Sequence, residues 1–179
     1  MPKITRVVWE DNDGIDPNSG TEINNDALQE IYDSIQAAFD EADPPATVVT
    51  PAYDAGDFTG SGTIAWTVQS GDVARYAYTL LAQRLMVLDV QLSGTTVSGT
   101  GTELRIAIPA GYTAAAPTMA RPASVRDNNT EKPEAIAVVE QDGTYVSVYV
   151  DATQATNWSA STNQTRVWFS MPIFVNPPA

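Results

Sequence analysis

Cysteine and histidine are both absent from the 179 residues of this chain. Without cysteine the protein has no disulfides, no thiol nucleophile and no zinc–thiolate site. Without histidine the Ser-His-Asp and Cys-His catalytic arrangements are excluded, and so are metal sites built on imidazole. The chemistry that remains is that of carboxylates and of oxygen-ligand Ca²⁺ or Mg²⁺ sites.

Basic residues are scarce, since nine Lys and Arg stand against 22 Asp and Glu, for a net charge of −13. This field repels phosphate backbones and anionic membrane surfaces, so we expect no nucleic-acid partner and no membrane partner. No apolar run approaches the ~20 residues of a membrane helix, and the N-terminus lacks the apolar core of a signal peptide.

The charge is also unevenly distributed. Residues 1–57 hold 13 acids against two bases, which gives −11, whereas the remainder carries about −2. We divide the chain into an acidic N-terminal arm and helix over residues 1–43. A linker containing proline and glycine follows over residues 44–62, and a β-sandwich domain over residues 63–179.

One convincing helix is predicted over residues 25–42. Its apolar positions, among them Leu28, Ile31, Ile35 and Ala38, recur at alternating spacings of three and four. Such a stripe packs either on the core of its own domain or against other subunits as a coiled coil. The stripe covers only about two and a half heptads, and its flanks lack basic residues, so the coiled-coil alternative is a short trimeric clasp.

From residue 63 onward the pattern becomes that of strands separated by turn residues. We predict a mainly β fold, an antiparallel, jelly-roll-like β-sandwich preceded by an N-terminal arm and one short α-helix. The predicted strands are Thr63–Gln69, Val73–Leu81, Leu85–Leu92, Leu104–Ile108, Ala135–Glu140, Thr144–Val150 and Arg166–Val175.

Several local features of the strand region qualify this prediction. A helix over residues 74–87 remains an alternative, and residues 93–102 read as a loop. Leu85–Leu92 is largely apolar on both faces, so it lies centrally in a sheet or meets another subunit. Pro172 favours an edge or a bulge in the last strand, and Asp142-Gly143 predicts a hairpin.

The carboxylates do not form a recognisable catalytic set. Glycoside hydrolysis needs two carboxylates facing each other across a cleft, and no two are paired by the sequence. Asp72 and Asp142 stand in turns, and Asp89, inside an apolar strand, is expected to pair with Arg84 or Arg105. We therefore expect no enzyme activity, no catalytic residues and no cofactor.

The acidic N-terminal loop has the spacing of a Ca²⁺ ligand set only in part. Asp11, Asp13 and Glu22 match an EF-hand loop, but Ile15 and Asp16 replace the required oxygen ligand and glycine. No metal site is predicted, while a looser Ca²⁺ site on Asp11, Asp13 and Asp16 stays open.

Of the four tryptophans, Trp158 lies in the polar stretch TNWSAST, whereas Trp66 and Trp168 lie in apolar strands. An exposed aromatic ring can stack on a sugar. Trp158 is therefore the candidate glycan contact of a lectin-like sandwich.

The opening ITRVVWEDNDGIDPNSGTEINNDALQEIYDSIQAAFDEA is similar to the short N-terminal segments of structural proteins in tailed-bacteriophage virions. Residues 66–111, with Trp66, Tyr76, Tyr78 and the ending Ile-Pro-Ala-Gly, resemble the β-sandwich modules of fibres, knobs and capsid decoration proteins.

The resemblance implies a homotrimer located in the virion, without enzymatic activity. Its N-terminal segment would contact other virion proteins, and its sandwich would face outward and could meet a host surface glycan. The alternative function is a glycan-binding β-sandwich module.

Overall fold

A computed structural model describes residues 25–42, 46–82 and 84–178. The chain divides into two compact units between Pro44 and Pro45, and each unit is described by itself. The predicted N-terminal arm and acidic loop lie outside the described residues.

The first unit contains a single helix among the described residues, α1, over Asn25–Ala42, as the sequence predicts. On the face opposite its apolar stripe, Gln29 Nε2 donates to Asp33 Oδ1 at 2.7 Å. Hydrogen bonds at this spacing join successive turns and support a helix that faces solvent.

The second unit is built from thirteen strands in its described residues. In chain order they are β1 (Thr47–Val49), β2 (Phe58–Gly60), β3 (Ala65–Thr67), β4 (Val73–Leu81), β5 (Leu85–Ser98), β6 (Glu103–Ala107), β7 (Thr113–Ala114), β8 (Thr118–Ala120), β9 (Ser124–Asp127), β10 (Thr130–Glu131), β11 (Ile136–Val139), β12 (Tyr145–Tyr149) and β13 (Ser161–Asn176).

These strands form two antiparallel sheets, which confirms the predicted antiparallel sandwich. The large sheet has the order β1-β4-β5-β13-β9-β10, with β3 also paired to β5 and β7 to β13. The small sheet has the order β2-β6-β12-β11-β8. Its β11–β12 hairpin encloses Asp142-Gly143, as predicted.

Alternating side chains of the two sheets form one hydrophobic core. Along β5, Met86, Leu88, Val90 and Leu92 have no exposed surface, and residues of β6, β12 and β13 join the same cluster. Each fully buried aliphatic side chain contributes roughly 1.5–3 kcal/mol. The same two-residue period decides which side chains face outward on each sheet.

The predicted linker over residues 44–62 is wrong for its described part, because strands β1 and β2 belong to the sheets. Phe58 is 3% exposed, with its ring centroid 5.8 Å from that of Trp66 and 5.5 Å from that of Tyr76. Of the described residues in this segment, Pro51, Gly56 and Gly62 lie outside the strands, so composition alone suggested a linker.

Two further predictions are corrected along β4 and β5. Residues 93–98, expected as a loop, continue β5, and the helix alternative for residues 74–87 is replaced by strands. The polar Thr95 is fully buried there, because it accepts a hydrogen bond from Trp66 Nε1 at 2.9 Å and donates one to the Thr165 carbonyl at 3.3 Å. A hydroxyl group that has hydrogen-bond partners within the protein can be buried in a β-strand.

Pro172 predicts an edge or a bulge in the last strand, β13. This strand is central at Arg166–Trp168, which pair with both β9 and β5. Pro172 lies opposite Val87 of β5, while the pairings to β9 and β7 involve other residues of β13. Within the described sheet, the strand is therefore locally an edge at Pro172, where a missing N–H is tolerated.

No helix in the described part of the chain is long and apolar enough to cross a membrane.

Candidate functional site

The apolar stripe of α1 is presented to solvent where its side chains are described. Ile31 is 54% exposed, Ile35 51% and the neighbouring Tyr32 47%. Leu28 and Ala38 lie in the same helix, but their side chains are outside the described residues. Large aliphatic side chains this exposed are typical of an interaction surface.

A second apolar surface lies on the outer face of the large sheet. We call it the outer apolar patch, and it consists of Val48, Leu81, Leu85, Val87, Pro172 and Phe174. The strand register aligns Leu81, Leu85 and Phe174 in one row across β4, β5 and β13. Val48 and Phe174 are the most exposed, at 58% and 57%.

The patch explains the apolar character of β5 on both faces. One face lies in the core, as expected for a central strand, and the other contributes Leu85 and Val87 to the outer apolar patch. The central position of β5 in its sheet is confirmed, and contact of its second face with another subunit remains a prediction.

Polar side chains also lie on that outer face, among them Arg75 and Asp89. Asp89 pairs with Arg75 of the neighbouring strand β4, with Nη2 and Oδ2 3.2 Å apart, and not with Arg84 or Arg105 as the sequence suggested. Arg75 is 45% exposed at its side chain. Ala77 of β4 lies directly opposite Asp89, and Arg75 is two residues from Ala77 along the same strand. The strand register therefore decides which basic residue pairs with Asp89.

The structure contradicts the prediction that Trp158 is an exposed glycan contact. Its side chain is 2% exposed, and its indole N–H donates to the Val148 carbonyl at 3.2 Å. The surrounding polar sequence suggested exposure, but the ring completes the core, so Trp158 offers no glycan contact.

A groove lies on the outer face of the small sheet. Its volume is about 340 Å³, and it is lined by Glu103 of β6, by Tyr145, Ser147 and Tyr149 of β12, and by the β11–β12 turn. We call it the Glu103 groove. The three β12 residues share one face because side chains alternate along a strand.

Glu103 is the buried anchor of this groove. It is 8% exposed. Its Oε2 accepts from the Tyr149 hydroxyl at 2.8 Å and its Oε1 from Arg105 Nε at 2.6 Å, while Arg105 Nη2 reaches the same oxygen. The Arg105 guanidinium in turn lies 4.7 Å from the centroid of the Tyr145 ring. The carboxylate thus binds two neighbouring side chains directly, and one of them, Arg105, packs on a third.

The protonation of the anchor follows from these contacts. Burial alone would raise the pKa of Glu103, but hydrogen bonds from Tyr149, Ser147 and Arg105 and the charge of Arg105 outweigh it and lower the pKa. Burial and the hydrogen bond to Glu103 raise the pKa of Tyr149 to about 12. At neutral pH the groove therefore holds an ionised carboxylate beside a neutral phenol.

The sequence did not single out Glu103, Tyr145 or Tyr149 as a site. The signal available was the alternation Tyr145-Ser147-Tyr149, which places two aromatic rings and a hydroxyl on one face of a predicted strand. The register with β6, which brings Glu103 opposite Tyr149, is a long-range pairing that local patterns do not specify.

Two questions about the carboxylates remain, namely the role of Asp72 in a turn and the binding of metal ions. Asp72 Oδ2 accepts the Gln69 backbone N–H at 2.8 Å, which is a turn role. Within residues 25–42, 46–82 and 84–178, no group of three or more metal-ligating Asp or Glu side chains assembles. Asp11, Asp13 and Asp16 lie outside the described residues.

Comparisons of the chain with protein-family models, with curated proteins and with solved structures find no match in any of the three.

Proposed function

We propose that this protein is a structural subunit of a tailed-phage particle, displayed on the virion surface as a trimeric decoration, head-fibre or small tail-fibre protein. It acts by assembly and not by catalysis. The observation that carries the proposal is the exposure of Ile31 and Ile35 on one face of α1. Burying that face between three copies removes apolar surface from water, which is the main driving force of association.

The occupant of the helix stripe is taken to be a second and third copy of the same chain. The three- and four-residue spacing of the stripe suits packing between equivalent helices. The acidic residue Asp33 lies opposite Ile31 and Ile35, so a central apolar seam leaves the charges outside.

The outer apolar patch supports the same role from the second unit. Val48, Leu81 and Phe174 are exposed in the isolated chain, and a neighbouring subunit would cover them. The acidic N-terminal segment is assigned to contact with other virion proteins, which would need basic surfaces to receive it.

Mass spectrometry of purified particles tests the location. Peptides of this chain should co-purify with the virion through density-gradient centrifugation, and surface labelling of intact particles should modify its exposed side chains. Detection only in the soluble fraction of infected cells, with none in gradient-purified particles, would overturn the virion assignment.

A further inference from the structure

We propose that the Glu103 groove is a binding site for a saccharide that carries no carboxylate or sulfate group. The groove lies on the small sheet and shares no residue with the helix stripe or the outer apolar patch, so this inference does not depend on the proposed assembly. Its volume of about 340 Å³ falls in the range of about 300–1,000 Å³ found for small-molecule sites.

Tyr145 supplies the apolar contact. Its side chain is 37% exposed, and the Arg105 guanidinium lies over one face of the ring, 4.7 Å from its centroid, which leaves the other face for a ligand. A fixed aromatic ring loses little conformational entropy when a ligand packs on it. The C–H faces of a pyranose ring fit such a surface, because the ring face of an aromatic residue is electron-rich.

Polar groups along the groove supply contacts to hydroxyl groups. Tyr145, Ser147 and Tyr149 point to the same side of β12 over four residues, a run of roughly 13 Å. The carboxylate of Glu103 is occupied by Tyr149, Ser147 and Arg105. Glu103 is therefore a positioning residue, and Tyr149 and the turn side chains are the groups left to meet the ligand.

The charge of the lining selects the class of saccharide. Two exposed acidic residues, Glu140 and Asp142, are among the lining residues, and no Lys or Arg is. The charge of a third lining residue, Glu103, is offset by Arg105. Glu140 and Asp142 are exposed in the β11–β12 turn and accept hydrogen bonds from hydroxyl groups. An acidic sugar would meet like charges, whereas a neutral or amino sugar would not.

The site can be tested by NMR titration of the ¹⁵N-labelled full chain with three oligosaccharide sets: neutral, amino-sugar-containing, and carboxylated or sulfated. Neutral or amino sugars at millimolar concentration should shift amides of β12 and of the β11–β12 turn in a saturable way. Tyr145→Ala should weaken binding by about tenfold or more, the loss typical of a central aromatic contact. Phe174→Ala, an exposed aromatic ring outside the groove, is the matched control and should leave binding unchanged.

Three results would overturn the proposal. They are the absence of saturable shifts with every neutral and amino sugar, binding restricted to the acidic set, or binding that survives Tyr145→Ala. Thermal unfolding of Tyr145→Ala should match that of the wild type, which separates loss of the site from loss of the fold. The interpretation of the NMR titrations and of the thermal unfolding does not depend on the oligomeric state of the protein.

Discussion

Tyr149 and Glu103 lie directly opposite each other on β12 and β6, and the Tyr149 hydroxyl donates to Glu103 Oε2 at 2.8 Å. This pair joins two strands of the small sheet on the side away from the core. It places an ionised carboxylate, 8% exposed, at the base of the only site we assign to a ligand.

Replacing Glu103 by Gln should destabilise the protein in a pH-dependent manner. At about pH 7 the loss should be about 1.5–3 kcal/mol, because hydrogen bonds to a charged carboxylate are lost. The folded pKa is lowered from the ordinary 4.5, so the stabilising contribution is present above that value and is lost as the pH falls through the folded pKa. The difference between wild type and Glu103→Gln, measured by denaturant unfolding, should therefore shrink below about pH 4.5.

The control for this measurement is Glu134→Gln. Glu134 pairs with Arg121 at 3.3 Å with both side chains largely exposed, and exposed pairs contribute little. A variant of Glu103 whose effect is as small as this control, or is independent of pH, would contradict the anchoring role.

Trp158→Ala should unfold the sandwich more readily. The ring is buried and its N–H is bonded to the Val148 carbonyl, so the substitution leaves a cavity and an unpaired acceptor, at a cost of about 3–5 kcal/mol. The free energy of unfolding from urea titration checks this. Phe174→Ala, with its ring 57% exposed, should change that free energy far less, and equal effects would show that Trp158 is not a core residue.

Gly99 should tolerate no side chain. It adopts φ +81°, and a Cβ there would lie 2.1 Å from the Thr63 carbonyl oxygen, so Gly99→Ala should cost about 1–3 kcal/mol. Gly71→Ala is the matched control, since a Cβ at Gly71 meets open space. Thermal unfolding that ranks the two substitutions equally would argue against this turn geometry.

The outer apolar patch should contribute to association and not to folding. Phe174→Glu and Val48→Glu place charges on side chains that already face solvent, so unfolding should change by no more than about 0.5 kcal/mol. Sedimentation equilibrium should show weaker self-association for both variants. Gln91→Glu, which adds a charge on the same face outside the patch, should not weaken self-association. If it does, the total charge and not the patch would be responsible.

The sequence predicts the long strands and the helix well, because their patterns extend over many residues. The alternation of Met86, Leu88 and Val90 and the helical stripe at Ile31 and Ile35 are both local signals of adequate length. Strands of two to four residues, such as Thr113–Ala114, are too short to show a period. They form because longer neighbours supply the pairing.

The candidate sites were predictable to different degrees. The helix stripe follows from spacing alone. The Glu103 groove depends on the register between β6 and β12, and the burial of Trp158 depends on how its loop folds onto Val148, so neither can be read from local sequence. The Arg75–Asp89 pair is missed for the same reason, since its partner is chosen by the register of β4 with β5.

The mass of the full chain in solution tests the central claim most directly. Light scattering coupled to size exclusion should give three times the chain mass of 19.2 kDa over a wide concentration range. Ile31→Asp should shift the protein toward monomer while thermal unfolding of the sandwich is retained. Gln29→Glu, which adds one negative charge on the opposite face of α1, should remain a trimer. A wild-type monomer at all concentrations, or a trimer unaffected by Ile31→Asp, would contradict assembly through the helix.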